Sequence, residues 1–360
     1  MSSAMTYAEV VSQVWKCWCS HNFSPNYTSV LTLHGMARHS RLCGDTAVLA
    51  QVREMLQPWI LGEIKTCGGT FGYNVYRFGG NAAAWLWQQG ELPEAAGTLC
   101  AAAGMLCHEH PRSEDGLFQK HLVPYNNYVW IDTVFGVCPF LLWVGKTSGQ
   151  AEFVDEACRQ MLGHHRRLFD AKLGIYHQAF NANNSGCLTP GHWGRGQGWA
   201  VFALAELADD VPPEHPDCQP LRALTQEVLA KVLPYQDDQG MWHQALEDFG
   251  SYPETSGTGL ILYALGRGLA NGSLDRGLFL PHYLRGLRAL LRYVSLDGSV
   301  FNCCIGCLAP GYNGTVADYA LHPWKLNDNH AFGPVLHAFG QAAELERKQM
   351  LPALADILRG

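Results

Sequence analysis

The strongest constraint on this chain is an alternation between two kinds of helical segment. Six stretches carry apolar residues on one face at helical spacing: roughly Thr6 to Ser20, Asp45 to Leu61, Pro93 to His108, Gln150 to Phe169, Gln219 to Leu233 and Pro281 to Val294. Each is followed by a loop rich in Gly, Asn and aromatic residues that leads into a second, more uniformly apolar helix. These second helices start near Tyr27, Arg77, Trp130, Arg195, Glu254 and Asn329. A helix apolar on nearly every face belongs inside, and an amphipathic one belongs around it. Strand-like alternation is scarce, so the chain reads as all-α, with six inner and six outer helices closing into an (α/α)6 barrel, a six-hairpin toroid. The Pro-rich piece from Val211 to Pro220 has the length of an ordinary helix connection, so residues 1–360 are expected to form a single catalytic domain.

In such a toroid the loops before the inner helices share one rim. Tyr27, Arg77, Asn81, Asp132, Arg195 and Glu254, far apart in sequence, are then expected to meet at one mouth. At 48% hydrophobic and 16% charged residues, the 360-residue chain has ample material for a large core. Its net charge of −7 is spread without runs, which argues against nucleic acid and anionic membrane surfaces as partners. Met1 to Val14 lacks the pattern of a secretory signal and no stretch has the length of a membrane span, which points to the cytoplasm and to free thiols among the 13 cysteines. Cys303, Cys304 and Cys307 give half of a zinc motif without a second half, and no histidine–carboxylate group has metal-ligand spacing, so no metal site is expected.

The chemistry concentrates in a few strings. HLVPYNNYVWIDTVFGVCPF, from His121 to Phe140, sets Asp132 at the start of an apolar helix among Tyr125, Tyr128, Trp130 and Phe135. The plain reading is a carboxylate stabilised by free helix N–H groups; the aromatic surroundings favour an acid that keeps its proton. HWGRGQGW, from His192 to Trp199, is rich in glycine where a helix gains nothing from it, which implies close approach of another group. There Arg195 offers a fork for a carboxylate and Trp193 a flat face for a sugar ring, although tight helix packing and internal pairing would also explain the string. GIYHQAF supplies His177, GMWHQAL supplies His243, and SYPETSGTG supplies Glu254, which reads either as a second catalytic carboxylate or as a helix cap.

Taken together, VWIDTVFGVCPFL, GIYHQAF, HWGRGQGW, GMWHQAL and SYPETSGTGLILYAL resemble the unsaturated rhamnogalacturonyl hydrolases of glycoside hydrolase family 105, related to the unsaturated glucuronyl hydrolases of family 88. The motifs match in order from about residue 115 to 270. The resemblance implies an (α/α)6 barrel acting on pectin-type oligosaccharides that end in a 4,5-unsaturated uronic acid. In that reaction an aspartate protonates C4, water adds at C5, and the hemiketal opens to release the sugar, with no metal or organic cofactor. Asp132 aligns with that aspartate. The substrate-holding positions carry over to His121, His177, Trp193 and Arg195, and Gln197 stands where many relatives have Asn. Arg77 and Asn81 lie where many relatives carry another aspartate, which points to altered water activation or to a substrate with an extra anionic group. Leu122 replaces a residue that is often basic.

Three other readings stay open from the residues. One is an ordinary inverting glycosidase using Asp132 and Glu254, which needs about 6.5–9.5 Å between the carboxyls. Another is a non-catalytic sugar-binding protein, and the third a sugar epimerase using His177 and His243.

Overall fold

The computed structural model describes residues 5–21, 25–64, 73, 76, 78–119, 125–308 and 314–359. Fourteen α-helices run along them, and twelve make the toroid. The inner ones are α2 (Tyr27–Cys43), α4 (Gly80–Gln88), α6 (Asp132–Ser148), α8 (Gly194–Asp210), α10 (Thr255–Asn271) and α13 (Phe332–Arg347). The outer ones are α1 (Tyr7–Ser20), α3 (Thr46–Ile60), α5 (Ala96–Glu109), α7 (Ala151–Leu168), α9 (Cys218–Val232) and α11 (Arg276–Leu291). The two remaining are short, α12 (Val316–Leu321) and α14 (Leu354–Arg359). The sequence division into inner and outer holds. Residues Asp132 to Gly145 of α6 are buried without a break, whereas α7 buries one face and points Arg166 and other polar residues outward.

The inner helices form a closed ring in which α2, α4, α6, α8, α10 and α13 each pack against the next, and α13 packs back on α2. Outside it, α3, α7, α9 and α11 each lie on the inner helix that precedes them, and α1 lies on α13. The pairing in space is therefore offset from the outer-then-inner pairing read along the sequence.

Caps set most boundaries. Thr6 accepts from the Glu9 N–H while Glu9 reaches back to the Thr6 N–H, and Asp45 accepts from Val48 N–H. The sixth outer helix begins at 276 rather than at Pro281. Asp275 supplies the cap there, its carboxylate accepting from the Leu278 N–H, and Pro281 sits inside the helix. Among the described residues the rim also carries three two-stranded antiparallel ladders too short to read from alternation. They are β1 (Val129–Trp130) with β4 (Ala179–Phe180), β2 (Phe169–Asp170) with β3 (Ile175–Tyr176), and β5 (Cys303–Cys304) with β6 (Trp324–Lys325). No described helix is long and apolar enough to cross a membrane.

Candidate active site

Asp132 is the first residue of α6 and is only 3% exposed. The β1–β4 ladder puts it there: past Trp130 the pairing continues with the Ile131 N–H donating to the Gln178 carbonyl at 3.0 Å, after which the chain turns into the helix. That register brings the Gln178 side chain across, and its Nε2 donates to Asp132 Oδ2 at 2.7 Å. The approach needs Gly196 on α8, since a Cβ there would stand 2.7 Å from Gln178 Oε1. The amide is thus wedged between two inner helices with one end on the carboxylate. Its other end, Oε1, is buried with no partner among the described residues.

Around this pair lies a shell of buried polar groups. Tyr73 and Thr133 share a hydroxyl–hydroxyl hydrogen bond of 2.5 Å. Asn81, the second residue of α4, donates from Nδ2 to the Phe135 carbonyl at 3.0 Å and leaves Oδ1 buried without a described partner. The Tyr128 hydroxyl is likewise buried and unmatched, and burial together with the nearby Cys307 and Asp132 pushes its pKa well above the ordinary value. Buried polar groups are nearly always satisfied, so a cluster of unsatisfied ones beside a carboxylate is what a polar ligand site looks like.

Arg195, in the first turn of α8, is wholly buried. Its Nη1 donates to the Cys304 carbonyl at 2.7 Å and to Ser256 Oγ at 3.0 Å, and stands 3.9 Å from Glu254 Oε1. Its Nε and Nη2 have no partner among the described residues. Trp193 fixes the plane of the fork, with the guanidinium carbon 4.4 Å over its ring. Trp193 itself is 1% exposed, stacks near Tyr319 and donates from Nε1 to Gln244 Oε1 at 3.1 Å, so it orients Arg195 and has no open face for a sugar.

Glu254 resolves to the capping reading. It is the N-cap of α10 and 0% exposed, and its carboxylate accepts from Ser256 N, Ser256 Oγ, Gly257 N and Cys304 N at 2.6–3.1 Å. A carboxylate so enclosed has no water to activate, which removes the support for a second catalytic acid. Cys303 and Cys304, half of a motif by sequence, are buried in β5 and form part of the wall behind Arg195.

Tyr27 opens α2, and its hydroxyl lies 2.5 Å from His330 Nε2. His330 Nδ1 lies 2.6 Å from Asp328 Oδ1. A carboxylate can only accept, so Nδ1 carries the proton and the tyrosine donates to Nε2. Burial first, and then the nearby Arg195, hold His330 below the usual histidine range, which fits the neutral ring. Burial pushes Tyr27 well above its ordinary pKa, with Arg195 opposing and Asp132 reinforcing, so the tyrosine stands in the fields of both site residues. Sequence reading placed a helix start near Asn329 and missed this Asp328–His330–Tyr27 chain. The Asp-x-His spacing ahead of an apolar helix was the available signal.

Other expected residues fall elsewhere. The two ends of the Gln197 amide hold the Tyr176 backbone N–H and carbonyl, each at 2.7 Å, and are spent on keeping β3 against α8. Trp130 lies in β1 rather than in the helix and is 2% exposed. His243 has both nitrogens engaged, by Ser251 O at 2.6 Å and by Asp237 Oδ2 at 2.7 Å, which leaves it none for epimerase chemistry. Arg77, His121 and Leu122 lie outside the described residues. His177 lies in the link between β3 and β4, with Nε2 3.7 Å from Asp170 Oδ2 and its ring centroid 4.5 Å from that of His192. No histidine–carboxylate group has metal-ligand spacing along the sequence, but the fold brings one ligand atom each of Asp170, His177 and His192 within 4.8 Å of one another.

A family model described as Glycosyl Hydrolase Family 88 matches residues 4–346. The unsaturated rhamnogalacturonyl hydrolase YesR of Bacillus subtilis (strain 168) is 27% identical over 215 residues, covering 58% of this chain and 60% of YesR. An unsaturated 3S-rhamnoglycuronyl hydrolase of Formosa agariphila is 26% identical over 181 residues, 48% of each chain. The chain thus spans between about half and three fifths of these two relatives. Among solved structures, a family 105 glycoside hydrolase of Clostridium acetobutylicum superposes with a TM-score of 0.80 at 23% identity, covering 94% of this chain and 99% of that one. An unsaturated glucuronyl hydrolase specific for heparin superposes with a TM-score of 0.71 at 14% identity, covering 96% and 98%. These two establish a shared fold.

Proposed function

Because the chain belongs to glycosyl hydrolase family 88, we propose that it removes the terminal 4,5-unsaturated uronic acid from rhamnogalacturonan-type oligosaccharides, working in the cytoplasm with Asp132 as the acid. The observation that carries this reading is Arg195: a buried guanidinium with Nη1 anchored and both Nε and Nη2 unfilled is built for a ligand carboxylate. A neutral sugar would leave those donors buried and unpaired.

With the uronate carboxylate on Arg195, the C4=C5 bond of the vinyl ether faces the Asp132 side of the mouth. Asp132 gives its proton to C4, and positive charge develops at C5, shared with the ring oxygen. Water adds to C5 and its proton returns to the Asp132 carboxylate. The hemiketal then opens to a C5 ketone, and the hemiacetal left at C1 expels the remaining oligosaccharide as an alcohol. Gln178 serves both forms of the acid, since its N–H group donates to the carboxylate and a rotated amide accepts from the carboxylic acid. The described cysteines are all free thiols, in keeping with a reducing compartment.

Mixing the protein with lyase-generated unsaturated rhamnogalacturonan oligosaccharides and following the ultraviolet absorbance of the conjugated double bond tests the reading. The absorbance should fall with the wild-type chain and stay constant with Asp132→Asn. A wild-type protein that binds these sugars without consuming the double bond would show a binding protein instead.

A further inference from the structure

Next to the β2–β3 ladder three side chains converge, with one ligand atom each of Asp170, His177 and His192 within 4.8 Å of one another. The turn after β2 points Asp170 inward: Oδ1 accepts from the N–H groups of Lys172 at 2.8 Å and Leu173 at 3.0 Å, and Oδ2 faces two histidines. Oδ2 lies 3.7 Å from His177 Nε2 and 3.8 Å from His192 Nε2. The imidazoles sit with centroids 4.5 Å apart.

The tautomers follow from the outer contacts. His177 Nδ1 is 2.7 Å from the Thr189 carbonyl, and His192 Nδ1 is 2.7 Å from Glu247 Oε1. Both partners are acceptors, so in a neutral ring the proton sits on Nδ1 and the Nε2 lone pair is free. His192 is 3% exposed, and its Nε2 has no hydrogen-bond partner among the described residues. Two imidazole lone pairs and a carboxylate oxygen within 4.8 Å of one another repel unless something positive lies between them.

We propose that Asp170, His177 and His192 bind a divalent transition metal ion of the zinc class, with Glu247 and the Thr189 carbonyl orienting the two histidines. Tetrahedral zinc with bonds of about 2.0–2.1 Å sets its ligand atoms about 3.3 Å apart, so the two observed oxygen–nitrogen distances of 3.7 and 3.8 Å close with a shift of about half an ångström. Two imidazoles and one carboxylate suit zinc rather than magnesium or calcium. Each ligand has its own outer partner, the arrangement that fixes metal-binding histidines. In the other such cluster among the described residues, Cys158, His215 and Asp217, the cluster-facing nitrogen is already occupied, because the Asp217 N–H donates to His215 Nδ1.

The ion has a structural purpose legible in the neighbouring residues. His177 directly precedes Gln178, which holds Asp132, and His192 directly precedes Trp193, which holds Arg195. Tying the two histidines together clamps the two segments that carry the site. The inference stands apart from the proposed hydrolysis and is tested without a sugar.

The experiment is calorimetric titration of the chelator-treated full chain with zinc chloride, repeated with cobalt(II) while its visible d–d absorption is followed. Binding of about one equivalent is expected, with cobalt bands of a site containing nitrogen ligands and a rise in the thermal midpoint. Asp170→Asn and His192→Asn should abolish it, Glu247→Ala should weaken it about 10- to 100-fold, and Cys158→Ser should leave it unchanged. Absence of stoichiometric binding overturns the proposal, as does binding that is equally tight in Asp170→Asn and Glu247→Ala. If His192→Asn fails to fold by circular dichroism, those two variants decide.

Discussion

Replacing Asp132 with Asn keeps the side-chain volume and a polar contact to Gln178 but removes the proton the proposed chemistry transfers. The variant should lose about 10²- to 10⁴-fold in kcat with KM little changed, measured on the unsaturated oligosaccharide. Arg195→Lys keeps the charge and loses the fork, so kcat/KM should fall at least about tenfold, mainly through KM, while a neutral sugar analogue should bind equally well to both proteins. Gln178→Leu is more diagnostic. The amide N–H donates to the ionised carboxylate, and losing that donor favours the protonated acid, so the alkaline limb of the pH–rate profile should move to higher pH. An unmoved limb would make Gln178 mere packing. Asp132 and Arg195 stand out in the sequence for different reasons, Asp132 as a lone carboxylate in an apolar run and Arg195 as the one cation in a glycine-rich string. Gln178 does not, because it lies in the two-residue link between β3 and β4, where no helical or strand period marks which side chain turns toward Asp132.

Helical elements were readable to the extent that burial determines composition. The uniformly apolar runs became the inner ring and the one-sided runs the outer one, whereas the three rim ladders have two residues per strand and leave no period to detect. The glycines of HWGRGQGW were expected to admit close approach of another group, with tight packing as the alternative, and what approaches is the protein itself, since a Cβ at Gly194 would stand 2.3 Å from the His243 carbonyl oxygen. Gly194→Ala should therefore cost about 1–3 kcal/mol, seen as a lower midpoint in urea. Gly104 in the outer helix α5 has nothing within 4 Å of the added carbon. Gly104→Ala should gain up to about 1 kcal/mol from helix propensity. The two substitutions are chemically identical and should have opposite signs.

At the scale of the molecule, stability should depend on buried neutral histidines. Burial holds His164 at a pKa of about 4 against an ordinary 6.5, with Nδ1 donating to the Gln160 carbonyl at 2.8 Å. Between those values the unfolded chain takes up a proton that the folded one refuses, so stability rises with pH there and falls as pH drops from about 6.5 toward 4. The loss from this residue is on the order of 3 kcal/mol. Thermal midpoints measured across that window should decline, and His164→Gln should flatten the decline. The ring architecture has a further consequence. Helix α13, residues 332–347, is packed on both α2 and α1. During synthesis from the N-terminus, the apolar flanks of α2 and α10 that α13 covers have no partner until residues 332–347 leave the ribosome. A nascent chain stalled before residue 332 should therefore be held by chaperones or aggregate, and productive folding should begin only once the closing helix is free.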